Sequence, residues 1–436
     1  MHGRKMPATL RFMLASRRSE LLGLEDLART CELVTRISQL VHALQKERGY
    51  SNIYLSGNAP HQRQQLDVLS LEAEALEREV RLDLDRIDLD AVSTADKTRL
   101  FTRIAYALHS LDELPALRRR IREHAISMQD ATATLVRLIG GLLAVVFEAA
   151  DTAADPDITR CLVALFNFMQ GKELAGQERA LGVVGFASGY FRADMLERLE
   201  HLLEGQERCF AIFSRFASPA AQALWQALCA SETNINACRL RDIARRTSPG
   251  AAVEPQLCEL WFELHTHRID AMKQVETRLE QDLLQQCRYS IERIRKDLQS
   301  HRKLLDGIAD MHAAAEQAKL FSVQASDLDA PPPDGMTAMV ARSTLELLLT
   351  QSVRLQGLNE ELREARQALD ERKQVERAKQ QLMRQQGFSE GEAYGWLRQV
   401  AMNQGLRLEE VAQRLLALAQ PAERAPARTL GQRSRH

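Results

Sequence analysis

The chain has 436 residues, of which 45% are hydrophobic, 5% aromatic and 27% charged, and its formal net charge at pH 7 is −1. Leu, Ala, Arg, Glu and Gln dominate. Because these residues lose little rotamer freedom in a helix, the composition predicts an all-α protein with room for two or three domains. The balanced charge excludes selection of a partner by global charge, so any basic surface must be local.

The sequence predicts a cytoplasmic protein with no membrane partner. No apolar run approaches the roughly 18–20 residues that a membrane span needs, and arginines interrupt the basic N-terminal stretch that could resemble a signal peptide. The seven cysteines form no CxxC pair and lie inside helical patterns. Such a scattered set is typical of reduced, buried thiols.

Long helical patterns account for most of the chain. Residues 1–29 are predicted to form an N-terminal helical extension, and residues 30–320 a bundle, or two stacked bundles, of long helices. Breaks are expected at "SGNAPHQ" (56–62), "ADPD" (153–156), "ASP" (217–219) and "TSPGAAVEP" (247–255), where Pro, Gly, Ser and Asp cluster.

Three arginines extend apolar helix faces in this region. The faces are Leu33, Ile37, Val41 and Leu44 before Arg48; Leu162, Leu165, Met169, Lys172 and Gly176 before Arg179; and Ile235 and Ile243 on either side of Arg239. One interpretation is that each arginine reaches the bundle surface, or pairs with a buried acid such as Glu47 or Glu178. The other is that they converge on a planar oxyanion, because unpaired buried guanidinium groups need a counter-anion. Spacing does not decide between the two.

Two segments, "LQKERGYSNIYL" and "FMQGKELAGQERALG", resemble the signature segments of the NIT domain, a helical bundle that senses nitrate and nitrite. The resemblance covers about residues 30–300. It implies nitrate or nitrite as the effector, no cofactor, and an anion held by Arg48 and by a second arginine on a late helix. That second arginine is Arg239 or Arg241, and Arg179 is a candidate residue lining the pocket.

A linker and a heptad segment follow the bundle. Residues 321–337 include "APPPDGM" and lack helical periodicity, which predicts a linker. Residues 338–370 are predicted to form a coiled-coil-like helix, because leucines recur every seven residues at Leu348, Leu355, Leu362 and Leu369. The seam suits packing within one chain or between two, so a homodimer is an open possibility.

Residues 371–420 contain the start and stop signals of three short helices. Gly387 and Gly405 are expected to end the first two, and Ser389 with Glu392 forms a capping box for the second. Residues 372–414 hold eight Lys and Arg against five acids, with Tyr394 and Trp396 among them. Residues 421–436 are rich in Pro and Arg and are expected to be disordered.

The stretch "ALDERKQVERAKQQLMRQQGFSEGEAYGWLRQVAMNQGLRLEEVAQRLLAL" resembles the ANTAR domain, a three-helix RNA-binding module, over its whole length. Gln380 departs from the small residue that is common after the AK pair. The resemblance implies that stem-loops in a leader mRNA are the partner. Expected contacts with phosphates or bases are Lys373, Lys379, Arg384 and Arg398, with Tyr394 either stacking on a base or packing in the core.

The two resemblances, in this order, imply a one-component transcription antiterminator that responds to nitrate. Anion binding to the bundle is expected to release the ANTAR module to bind RNA and prevent termination at nitrate assimilation genes. An interaction scaffold with internally paired arginines is the alternative. A di-iron enzyme is disfavoured because the chain has no Glu-x-x-His, and no motif favours catalysis.

Overall fold

The fold was analysed in a computed structural model, which describes residues 8–56, 60–86, 98–322 and 360–418 except 361, 364, 365, 368, 369, 372 and 389. The predicted all-α fold is confirmed, and no strand occurs in these ranges. The helices are α1 (Ala8–Ser56), α2 (Pro60–Asp85), α3 (Thr98–Asp112), α4 (Leu114–Arg122), α5 (Met128–Thr152), α6 (Pro156–Ser188), α7 (Ala193–Phe216), α8 (Pro219–Cys229), α9 (Glu232–Arg246), α10 (Leu257–Ser322), α11 (373–386), α12 (Glu390–Gln404) and α13 (Leu408–Leu418).

The helices begin where the local sequence satisfies their first amide groups. The Asp155 carboxylate accepts a hydrogen bond from the Ile158 amide at 3.0 Å, and Pro156 occupies the first turn of α6. Ser218 caps α8 in the same way, also ahead of a proline. A side-chain acceptor before a proline starts a helix because the proline lacks the amide that would otherwise be unsatisfied. The breaks expected at 153–156 and 217–219 therefore lie at these two caps.

Residues 1–365 form one compact unit around α6. This helix packs against α1, α5, α7 and α10, so side chains on nearly all its faces are buried. An aromatic cluster of Phe186, Phe191 and Trp261 closes one end, with the Phe186 and Trp261 rings 5.4 Å apart. A helix surrounded in this way places its polar side chains inside the protein, where each requires a partner.

Helix α1 runs without a break across residue 29, so the expected division between an extension and the bundle does not coincide with a helix end. Contrary to the expectation that no apolar run is long enough, α5 could cross a membrane by length and composition alone, although 61% of its most apolar window is buried inside the protein. The core helix of a soluble bundle meets the same description. All seven cysteines are free. Only Cys31, Cys209 and Cys287 are buried as expected, whereas Cys229 is exposed and the other three are half-buried.

Residues 366–436 form a second compact unit. Its described helices, α11 to α13, share a core of Ala378, Leu382, Ala393, Leu397, Ala401, Val411 and Ala412. Gly387 and Gly405 have φ angles of 70° and 63°, and each follows a helix as expected. The Leu406 amide donates to the Ala401 carbonyl at 3.0 Å, which is the closure that a left-handed glycine permits.

Several expectations lie outside the described residues. These are the linker at 321–337 apart from the end of α10, most of the heptad segment at 338–370, the cap residue Ser389, and the tail at 421–436.

Candidate functional site

Arg48 lies on the buried face of α1 and is 1% exposed. Its guanidinium contacts both carboxylate oxygens of Glu173 on α6, through Nη1 to Oε1 and through Nη2 to Oε2, the latter at 3.2 Å. Gln45 and Gln177 also donate to Glu173, at 2.9 and 3.1 Å. The carboxylate thus accepts four hydrogen bonds, and Arg48 has a partner that is neither Glu47 nor Glu178.

Arg179 on α6 is 4% exposed and has only neutral hydrogen-bond partners among the described residues. Its Nη1 donates to the Thr266 hydroxyl at 2.9 Å, its Nη2 donates to the Gln45 carbonyl at 3.2 Å, and its guanidinium carbon lies 5.1 Å from the Phe262 ring centroid. Burial, and then the positive charge of Arg48, lower the pKa of Arg179 to about 10. The two guanidinium groups are therefore close enough to repel each other.

Each arginine packs on a glycine of the opposite helix. A methyl group on Gly176 of α6 would overlap Nη2 of Arg48, and a methyl group on Gly49 of α1 would overlap Nη2 of Arg179. Glycine inside a helix costs about 0.5–1 kcal/mol relative to alanine. Each helix thus contributes one arginine and one glycine to the contact. This reciprocal packing accounts for both glycines, because a position without a side chain leaves room for the guanidinium group of the other helix.

A cavity lies between these groups. Its lining includes Arg48 and Arg179, the two glycines, and Asn52. The space open to the centre of a water molecule is about 10 Å³, which is room for about one water. Among the buried groups here, two guanidinium charges face one carboxylate, so one positive charge is uncompensated.

Arg241 belongs to a second buried network centred on Glu178. Its Nε and Nη2 donate to the two Glu178 oxygens at 2.7 and 2.9 Å. Gln206 donates to the same carboxylate at 2.7 Å, and His265 Nε2 lies 3.1 Å from it. Burial acts to raise the pKa of Glu178, but Arg241, followed by His265, outweighs it and holds that pKa well below its ordinary value. Arg241 therefore pairs internally and does not line the cavity.

The expectation that Arg239 extends a buried apolar face is wrong. Arg239 is exposed and donates to Asn236 at 3.1 Å, and the flanking Ile235 and Ile243 are exposed as well. The buried stripe of α9 consists instead of Asn234, Ala237, Leu240 and Ala244. The apolar face assigned from Ile235 and Ile243 is the solvent face of this helix, and Arg239 does not line the cavity.

Sequence reasoning missed Glu173 as the partner of Arg48. It also left Gly49 and Gly176 without a structural role. Each glycine lies one or three residues from a buried arginine, but α6 also contains Gly171, Gly182 and Gly185, so the sequence did not single out Gly176. Glu47 and Glu178, which sequence reasoning offered as partners, bind Arg118 at 2.7 Å and Arg241 respectively.

The five residues expected to contact RNA differ in their exposure to solvent. Arg384 and Arg398 are exposed on α11 and α12. Lys379 is buried at 7% exposure and lies 2.9 Å from Glu376, and half-buried Lys373 lies 3.3 Å from Asp370.

The two aromatic residues of α12 have opposite environments. Tyr394 is 5% exposed, whereas Trp396 is 41% exposed. Of the two roles expected for Tyr394, core packing is the one that fits, and base stacking is not available to a buried ring. The aromatic side chain that faces solvent is Trp396.

A helical bundle with a buried cationic cavity, followed by a small basic three-helix unit, defines a sensor joined to a nucleic-acid-binding module. Two family models match accordingly: "Nitrate and nitrite sensing" (NIT) over residues 39–284 and "ANTAR domain" over residues 363–416. The chain is 33% identical to the nitrate regulatory protein of Klebsiella oxytoca over 416 residues, covering 94% of this chain and 96% of that one. A solved structure of the NasR transcription antiterminator shares 32% identity with a TM-score of 0.58, covering 94% and 99%.

The chain therefore belongs to the NIT family of nitrate- and nitrite-sensing proteins, in the form that carries a C-terminal ANTAR domain. It is a nitrate-responsive regulator of the antiterminator type.

The glycine contacts give the first testable prediction. Gly176→Ala should push Arg48 away from Glu173 and destabilise the bundle by about 1–3 kcal/mol through overpacking. The control is Gly140→Ala on α5, where a new methyl group meets no atom within 4 Å. That variant should gain up to about 1 kcal/mol from helix propensity. Urea unfolding measures the stability of both variants, and an equal response of the two would contradict the packing argument.

Proposed function

We propose that nitrate or nitrite binds in the cavity between Arg48 and Arg179 and regulates the binding of leader RNA by the C-terminal unit. The observation that carries the proposal is the uncompensated positive charge of this site. A buried charge without a partner costs several kcal/mol. A single monoanion would remove that cost, because it balances the second guanidinium group without leaving an excess of negative charge.

The shape of the site also supports a planar oxyanion. A guanidinium group presents paired N–H donors in one plane, and these match two oxygens of a planar oxyanion such as nitrate. Two such groups from opposite helices could hold one anion from both sides, with the glycine backbones close to it. The cavity is smaller than nitrate, so binding requires the side chains around it to move. In this proposal the second arginine of the site is Arg179, and neither Arg239 nor Arg241 binds the anion.

The two arginines should respond differently to substitution. Both Arg48→Ala and Arg179→Gln should lose nitrate binding. Arg48→Ala strands the buried Glu173 carboxylate and should cost about 3–5 kcal/mol of folding stability, as breaking a buried pair does. Arg179→Gln removes an uncompensated charge, so the variant should be at least as stable as the parent protein.

Urea unfolding and nitrate titration test this asymmetry, with Arg239→Gln on the exposed face of α9 as the matched control that keeps both properties. Full nitrate binding by Arg179→Gln would remove Arg179 from the site.

For the RNA, we propose that α12 presents Trp396 to a loop base while Arg384 and Arg398 contact phosphates. Stem-loops expose unstacked bases, and aromatic side chains bind these by stacking. Lys379 is buried and Lys373 is half-buried, whereas both arginines are exposed to solvent. The exposed aromatic ring and the two arginines are thus the stronger candidates.

Trp396→Ala should weaken binding to the leader stem-loop by about 1–3 kcal/mol, the value of one base stacked on an aromatic ring. Tyr394→Phe keeps the buried ring and should leave the affinity unchanged. Fluorescence anisotropy with a labelled stem-loop measures both. Unchanged affinity in Trp396→Ala would contradict the assignment of base stacking to Trp396.

We further propose that anion binding releases the RNA-binding unit, in a protein that is cytoplasmic and has no catalytic activity or cofactor. Helix α10 supplies Thr266 and Phe262 to the site, and it is the last helix before the second unit among the residues that the structure describes. The protein would exist in two states, one with the RNA-binding unit held and one with it released. The anion shifts the equilibrium between them only if it binds one state more tightly, and a difference of a few kcal/mol is enough. A homodimer joined by the heptad segment stays a possible partner arrangement.

The C-terminal unit has its own core, so residues 366–436 can be tested apart from the rest. This fragment should bind the leader stem-loop equally well with and without nitrate, whereas the full chain should require nitrate. Gel-shift titration at fixed salt compares the two. If the fragment binds no better than the full chain without nitrate, release is not the mechanism.

The internal pairs of Arg48 and Arg241 favour one other function, an interaction scaffold whose arginines only stabilise the bundle. Such a protein would bind no nitrate, so the calorimetric titration of the full chain separates the two proposals.

A further inference from the structure

Glu173 contributes more to the cavity than its pair with Arg48 requires. It is 2% exposed, and its two oxygens accept from Arg48, Gln45 and Gln177. Its negative charge also acts on Arg179, whose pKa it raises against the larger, opposing effects of burial and of Arg48. One carboxylate therefore affects both guanidinium groups that face the cavity.

The net charge of the site depends on this carboxylate. With Glu173 ionised, the buried groups Arg48, Arg179 and Glu173 sum to one positive charge. Without it, the sum is two positive charges in the same small volume. The neighbouring buried cation Lys172 does not change this count, because it pairs with Glu276 at 2.5 Å. Asp270 raises the pKa of Arg179 more than Glu173 does, but its side chain is exposed, so it is not one of the buried groups in this sum.

We propose that Glu173 is a specificity-determining residue of the anion site, because its carboxylate limits the site to one net positive charge and so to a monoanion. This inference rests on the proposed binding of nitrate between Arg48 and Arg179. A dianion such as sulfate would leave an excess negative charge in a buried site, which is as unfavourable as the uncompensated cation. Glu173 also competes with the bound anion for the donors of Arg48.

The charge role and a purely structural role predict opposite signs for one variant. If Glu173 only orients Arg48, Glu173→Gln loosens that guanidinium and weakens nitrate binding. If Glu173 sets the charge, the same variant gains a positive charge at the site and binds nitrate more tightly. The glutamine keeps the size of the side chain and an oxygen that can accept from Arg48.

The test is calorimetric titration of the full chain with nitrate and with sulfate, at constant ionic strength. Glu173→Gln should bind nitrate at least about tenfold more tightly than the parent chain, and its sulfate-to-nitrate affinity ratio should rise. Glu173→Asp keeps the charge and should keep the parental order of affinities. The control is Glu47→Gln, which removes a buried carboxylate bound to Arg118 rather than to Arg48 or Arg179.

A folded Glu173→Gln variant with unchanged or weaker nitrate binding overturns the proposal, provided that the parent chain binds nitrate. If the parent chain binds no nitrate, the proposed function fails together with this inference. Circular dichroism reports folding. Should Glu173→Gln not fold, competition on the parent chain decides, because displacement of nitrate by equimolar sulfate contradicts a site limited to monoanions, and resistance to sulfate supports it.

Discussion

The structure of the sensor depends on two buried guanidinium groups, those of Arg48 on α1 and Arg179 on α6, of which only Arg48 pairs with a buried carboxylate among the described residues. Each group occupies the space that a side chain would fill on the opposite helix, so Gly49 and Gly176 are as necessary as the arginines. Hydrocarbon packing alone cannot hold two like charges together, because burial removes the solvent that would screen them. The bundle thus buries one positive charge more than its buried carboxylate balances, and an anion could balance it.

Helix α6 connects this imbalance to the rest of the bundle. Arg179 reaches α1 and α10, while its neighbour Glu178 gathers Arg241 of α9, Gln206 of α7 and His265 of α10. Both networks are buried and contain charged groups, so neither can be rearranged cheaply. A shift of α6 at the cavity must therefore be accommodated by the helices bound to Glu178. Connections of this kind let a small anion influence a large bundle.

The sequence placed Arg48 and Arg179 on apolar helix faces but left open whether each reaches the surface, pairs with an acid or faces an anion, and the structure buries both. Sequence reasoning failed at Arg239 for a physical reason. The buried stripe of α9 includes Asn234 and Ala237, which are polar or small, and its isoleucines face solvent. Hydrophobic periodicity selects the more apolar face of a helix, and here the less apolar face is buried. Glu173 was missed because pairing between distant helices leaves no local signal.

In the C-terminal unit, helical periodicity could have decided between the two aromatic residues. Tyr394 stands three and seven residues before Leu397 and Ala401, two members of the core, so it shares their face. Trp396 is one residue before Leu397 and falls about 100° away around the helix. The family pattern conceals this difference because it records residue types rather than faces. A base that stacks on this helix must approach from solvent, and only the side chain outside the core stripe can meet it there.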